Sequence, residues 1–281
     1  MVGRSVELSI GRPEVKNGER CLEVDSLTVR DAFGFPKLND VTFTLDHGEI
    51  LGVAGLAGSG QKELCEAIAG LQKNVSGSIS FRGSPIIGKT PREIIKMGIS
   101  MSFIPEDRLG MGLVASMDIT DNIMLKDYAF HPGPFLNRRS AREKAAEIIK
   151  RLEISTPGTD HIVRKLSGGN IQKVILGGEI NLNPKLLITA YAVRGLDINS
   201  SYTIYDLINE QKKKGVAVLF IGEDLDVLLE LCDRIMVLNG GCVTGIVDAR
   251  KARKEELGLL MSSHSSFSVP TPADEAEGYD P

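Results

Sequence analysis

Two patterns of apolar and polar positions alternate along this chain, and they predict different elements. Residues 49–54, 185–189 and 216–221 are short, nearly continuous apolar runs. Runs of that length, bounded by turn residues, predict buried strands. Residues 21–30 alternate instead, with Leu22, Val24, Leu27 and Val29 apolar between polar neighbours, as a strand with one wet face does. Further strands are predicted at 41–45, 78–81, 234–238 and 242–247. Helical spacing marks 61–71, where Leu64, Ile68 and Leu71 share a face. It also marks 90–97, 119–125, 140–152, 198–214, 224–232 and 253–261. Within 140–152, Ile148, Ile149 and Leu152 form an apolar edge and the Arg, Lys and Glu residues a polar one.

Two glycine-rich turns interrupt this pattern at helix starts. Residues 166–173 read Leu-Ser-Gly-Gly-Asn-Ile-Gln-Lys and run on into Val174, Ile175 and Leu176. The free amides of a first helical turn, with a Ser hydroxyl beside them and no side chains in the way, form an anion-binding end. Ser-Gly-Gly alone is equally an ordinary Ser N-cap with two permissive glycines; the flanking Leu166, Asn170, Gln172 and Lys173 make a longer, rarer string. The second turn, Gly55, Leu56, Ala57, Gly58, Ser59 and Gly60, joins the strand at 49–54 to the helix starting at Gln61. Strand, glycine turn and helix make a phosphate cradle, because glycines let backbone amides converge on phosphate oxygens. A P-loop has Lys and then Ser/Thr after its last Gly. Here those positions hold Gln61 and Lys62.

Together the two turns, in this order and spacing, resemble ATP-binding cassette (ABC) ATPases over roughly residues 20–260. The resemblance implies an α/β P-loop NTPase core with a mostly parallel sheet, an antiparallel β edge near the N-terminus and an inserted helical subdomain at about 107–165. That subdomain would touch a membrane subunit; a solvated amphipathic helix is the other reading of 140–152. Residues 1–19 are expected to be a linker, 20–261 the ABC ATPase domain, and 262–281 a disordered acidic tail. In the family the signature, here Ser167, Gly168, Gly169 and Asn170, grips ATP held by a partner cassette. Gly195, Leu196 and Asp197 resemble the D-loop, which also reaches across to the partner's nucleotide. Pro105, Glu106, Asp107 and Arg108 resemble the Q-loop region, with Glu106 where most members have Gln. Glu223 stands at the switch-His position. Phe33 is the candidate to stack on adenine and Phe35 the second, with core packing the alternative for either. The nearest resemblance is to the second cassette of tandem importers for simple sugars or nucleosides, whose inter-cassette segment the opening Met1, Val2, Gly3 and Arg4 also resemble.

The departures from the family carry the functional expectation. Where the family has Asp-Glu-Pro-Thr-x-Gly-Leu-Asp, residues 190–197 read Ala-Tyr-Ala-Val-Arg-Gly-Leu-Asp. Gln61 carries no charge for the β/γ phosphates. Lys62 has three donors and no acceptor, so it cannot ligate a metal; Ala190 cannot either. Tyr191 replaces the water-polarising Glu and is a poor base at neutral pH. Loss of a general base typically costs about 10²–10⁴-fold, and loss of the metal comes on top. The chain's own site is therefore expected to hydrolyse ATP negligibly, with no catalytic residue and no Mg²⁺ there. The degenerate Ala190 and Tyr191 lean toward the nucleoside branch of these importers. ATP remains the expected cofactor, with Gly55, Gly58, Ser59, Gly60, Gln61 and Lys62 around its phosphates. The Lys62 ammonium would either replace the metal's charge or point to solvent. An active ABC ATPase and a non-enzymatic regulatory or relict module are the alternatives.

Composition adds exclusions. Apolar residues make up 42% and charged residues 25% of 281, the balance of a soluble globular protein. Asp274, Glu275, Glu277 and Asp280 lie in the last twenty residues, leaving 33 acidic against 33 basic in the first 261. No basic excess points to nucleic acid. Cys21, Cys65, Cys232 and Cys242 lack paired metal spacing and read as reduced cytosolic thiols. No apolar run approaches the ~20 residues of a membrane span, and the start is not a signal peptide. Membrane association would go through partners: a competent cassette in the same or a separate chain, permease subunits and, indirectly, a substrate-binding protein. The expected location is the cytoplasmic face of the cell membrane.

Overall fold

The computed structural model describes residues 10–15, 18–103, 112–127 and 136–262. The alternating segment forms β1 (Arg20–Arg30), which pairs antiparallel with β2 (Pro36–Asp46). The three apolar runs form β3 (Ile50–Gly55), β7 (Leu186–Ala190) and β8 (Ala217–Ile221). Between them lie α1 (Gln61–Ile68), β4 (Val75–Phe81), β5 (Ser84–Pro85), α2 (Pro91–Met97), β6 (Ile99–Phe103), α3 (Ile119–Asp127), α4 (Arg138–Arg151), α5 (Gly168–Asn181) and α6 (Ile198–Lys213). The described chain closes with α7 (Leu225–Leu231), β9 (Arg234–Asn239), β10 (Cys242–Asp248) and α8 (Lys254–Ser262).

The strands form a four-stranded antiparallel sheet, β2-β1-β4-β5, and a six-stranded sheet, β10-β9-β3-β8-β7-β6. The larger sheet is parallel apart from β10 against β9. Its inner strands are largely apolar because both faces are covered. Val218 and Phe220 of β8 join the core beneath the helices, whereas Ala217, Leu219 and Ile221 join the core shared with the smaller sheet and α1. Successive strand residues point to opposite faces, so one strand serves two cores.

Caps fix several helix starts. Thr90 and Glu93 form a reciprocal capping box at α2, satisfying two otherwise orphaned amides. Asp224 caps α7 and Cys232 ends it, trimming the helix predicted at 224–232. Helix α1 is shorter than its apolar spacing predicts: it stops at Ile68, and Leu71 is 51% exposed. Gly70 at φ 73° turns the chain there, with the Lys89 carbonyl and Ile94 each 2.7 Å from where a Cβ would sit. Strand β2 begins five residues earlier than predicted; in that added stretch Leu38 alone is buried.

Buried charge pins the end of the large sheet. Arg234 donates through Nε at 2.6 Å to the fully buried Glu49. Lys212, 1% exposed, pairs with Asp233 at 2.6 Å, and the other Asp233 oxygen accepts from the Ile50 amide. Each buried charge thus has a partner, without which its desolvation would be strongly destabilising. Residues 10–12 pack onto the domain: the Ile10 amide donates to Glu230 and Asn209 donates to the Gly11 carbonyl. No helix among the described residues is long and apolar enough to cross a membrane.

Candidate functional site

The glycine turn between β3 and α1 is built as close packing demands. Gly60 has φ 107°, and a Cβ there would lie 2.4 Å from Leu38; only glycine fits. Gly58 has φ 84° with open space beside it. The Ser59 amide donates to the Leu56 carbonyl at 3.0 Å, and the Ser59 carbonyl accepts from Gly241 at 3.2 Å. Gln61 is 4% exposed, and its Nε2 also donates to the Leu56 carbonyl, at 3.2 Å. A side chain at Gly55 would strike that amide at 2.6 Å. Lys62 is half-exposed, with its Nζ 3.8 Å from Glu66 one turn along α1.

Strand β7 delivers Ala190, buried, between Phe103 and Ile221 in register. Tyr191 follows at φ 57°, its amide donating to the Ile221 carbonyl at 2.9 Å. A left-handed conformation is unusual for an aromatic residue and marks a sharp exit from the sheet. Burial pushes the Tyr191 phenol above its ordinary pKa, and Cys65, Glu223 and Glu63 push the same way. The phenol is therefore neutral at pH 7, and the phenolate that could accept a proton is scarcer still. Burial likewise raises the Cys65 thiol. Magnesium prefers near-octahedral oxygen coordination. A buried methyl at Ala190 and an ammonium paired with Glu66 do not fit it.

The other helix start is preserved and braced. Ser167 caps α5, accepting from the Asn170 amide at 3.5 Å. The Asn170 side chain donates to the Ser167 hydroxyl at 3.0 Å, accepts from the Ser155 amide at 3.1 Å and donates to the Ser155 carbonyl at 3.4 Å. Gln172 donates to the Arg194 carbonyl at 3.0 Å. A Cβ on Gly169 would be 3.4 Å from both Leu196 and Ser200. Asp197 caps α6, accepting from the Ser200 amide at 3.0 Å and its hydroxyl at 2.7 Å. Those hydrogen bonds hold its carboxyl below the usual range.

The structure thus brings Ser167, Gly168, Gly169 and Asn170 beside the turn ending in Asp197, and Ala190 and Tyr191 near Glu63 and Cys65 of α1. Glu223 lies 3.7 Å from Arg194. Phe33 is 86% exposed and Phe35 is also exposed, which removes core packing as their role. Asp31 rigidifies their turn by accepting from both Phe amides at 2.9 Å. Glu106 lies outside the described residues. Sequence reasoning missed the brace made by Ser155, Gln172 and Arg194. A Gln on the buried, apolar side of α5 was its one visible sign.

Residues 38–189 match the ABC transporter family. That is more than half of the chain, and the chain belongs to this family. It is similar to the guanosine import ATP-binding protein NupO of Bacillus subtilis (strain 168), 38% identical over 265 residues, covering 93% of this chain and 52% of NupO. The ribose import ATP-binding protein RbsA of Clostridium perfringens (strain 13 / Type A) is 36% identical over 262 residues, covering 92% of this chain and 51% of RbsA. The chain spans about half the length of the curated relatives it matches. Its fold is that of an ABC ATPase cassette. A cassette solved as a dimer in a post-hydrolysis state with ADP and Pi superposes with TM-score 0.72 at 21% identity, covering 82% of this chain and 100% of that one.

Proposed function

We propose that this chain is a nucleotide-binding cassette of an importer for sugars or nucleosides, with its own ATP site hydrolytically impaired. Its signature helix and D-loop complete the ATP site of a competent partner cassette, in the same or a separate chain. The reading rests on one asymmetry. The strand end that should hold metal and base presents Ala190 and Tyr191, whereas Ser167, Gly168, Gly169, Asn170 and Asp197 are intact and braced. The names of the relatives supply the cargo class, nucleosides or ribose, and their doubled length suits a tandem arrangement in which this chain resembles the second cassette. Permease subunits and a substrate-binding protein then complete the transporter, with the cassette on the cytoplasmic face of the membrane. ATP is held in the partner's site; the residues of this chain fit no Mg²⁺ at their own.

The test is a phosphate-release assay on a competent first cassette with and without this chain. Turnover that rises on mixing and vanishes with Gly168→Asp in this chain supports the proposal. Turnover by this chain alone that disappears in Gln61→Ala places a working ATPase here instead.

A further inference from the structure

We propose that Gln61 fills this chain's own phosphate loop, so that the loop discriminates against phosphate instead of gripping it. The inference rests on reading residues 55–62 as the phosphate loop of the idle site above.

A phosphate loop binds through three features: amide donors aimed into the cradle, a nearby cation, and the positive end of a helix. Each is met at least in part from within: of the loop amides the Ser59 amide is bonded, the cation is paired and the helix end has its own acid. The Leu56 carbonyl takes both the Ser59 amide and the Gln61 carboxamide. Gln61 folds back across Gly55 and is 4% exposed; to reach an entering phosphate it would have to give up its hydrogen bond and its packing. The Lys62 ammonium faces Glu66. Glu63, in the first turn of α1, supplies in the chain itself the negative charge that a helix N-terminus favours.

Access is not what closes the site. A Cβ built on Gly58 meets nothing within 4 Å, so the approach to the loop is open at its tip. Discrimination then depends on the inward Gln61 side chain and on local charge, and one side chain can reverse it. Phe33 and Phe35 stay exposed on their rigid turn, so stacking of a base survives the loss of phosphate binding. The wild-type chain should therefore bind ATP hardly better than adenosine.

Equilibrium titration of the purified chain with ATP and with adenosine tests this, with and without magnesium. The wild-type affinities are expected to agree within about tenfold, a difference of about 1.4 kcal/mol. Gln61→Lys, which adds a cation, should tighten ATP more than about tenfold and leave adenosine unchanged. Gln61→Gly, which empties the loop without adding charge, should tighten ATP by a smaller factor. Circular dichroism and melting curves establish that both variants fold. Wild-type protein that prefers ATP to adenosine by more than about tenfold overturns the proposal. So does ATP affinity that neither folded variant improves. Phosphate release measured on the same wild-type samples separates the two ideas. Tight ATP binding without turnover removes the filled loop alone; turnover removes the idle site as well.

Discussion

The phosphate loop and the signature helix of this chain use one device, a helix N-terminus opened by glycines, and they direct their polar groups differently. At α5, Ser167 is exposed at the helix end while Asn170 and Gln172 tie the motif to Ser155 and Arg194 behind it. At α1, Gln61 turns inward and Lys62 pairs along the helix. One end is braced from behind and open in front; the other turns its side chains inward and along the helix. A conserved-looking glycine frame is therefore no measure of function. What decides is whether the side chains that follow it face out or in.

The sharpest way to break the comparison is to disable the open end. Gly168→Asp sets a carboxylate against an incoming phosphate. In a reconstituted pair it should lower turnover by about 10²–10³-fold, the range for removing a preorganised donor to a developing anion. An unchanged rate would show that the signature contributes nothing to a partner.

Next in size is a stability effect confined to the closed end. Gly60→Ala must adopt φ 107° and displace Leu38. A strained position of this kind costs about 1–3 kcal/mol. Urea unfolding should show the loss, and turnover of the pair, per folded molecule, should stay within about twofold.

A smaller effect sharpens the braced end. Asn170→Ala deletes three side-chain hydrogen bonds around Ser167 and Ser155. Only one of the three holds Ser167 itself; at about 1 kcal/mol for a typical net hydrogen bond, its loss should lower turnover of the pair about fivefold. A fall in kcat with KM nearly unchanged indicates misplacement of Ser167; a rise in KM alone indicates lost binding.

The smallest effect is a pH dependence at the D-loop. Asp197 has its folded pKa lowered by the Ser200 hydrogen bonds. Its capping contribution is therefore complete above the unfolded value of about 3.9 and is lost as pH falls below it. Asp197→Asn, which caps without titrating, should be less acid-sensitive in that window when melting is followed by circular dichroism.

Much of this architecture was legible in the sequence because the inner strands are buried on both faces. Residues such as Leu186, Leu187 and Ile188 are apolar regardless of which core they enter, so the run declares a strand. A cap declared one helix start: Ser167 stands where first-turn amides need an acceptor. Asp197, read as D-loop, turns out to cap α6 as well. The end of α1 was not legible, because Leu71 fits the apolar spacing while Gly70 redirects the backbone first. Nor was the early start of β2, whose added residues are polar and wet around Leu38. Pairing of Lys212 with Asp233 escaped notice since charge gives no period and its partner lies 21 positions away. At the site, the identities of Gln61, Lys62, Ala190 and Tyr191 were plain, but the inward fold of Gln61 depends on a carbonyl five residues back. The brace on Asn170 reaches to Ser155, in the segment before the motif. Motifs report residue types; hydrogen bonds across a loop are set by tertiary packing.

The central claim is that Ala190 and Tyr191 leave this chain without a working hydrolytic site. Its most direct test is the rate of phosphate release by the isolated, contaminant-free chain in saturating ATP and magnesium, measured beside the same chain treated with EDTA. The two rates should coincide at the level of the blank. A magnesium-dependent rate of about 1 s⁻¹, the low end of ordinary enzyme turnover, would contradict the account.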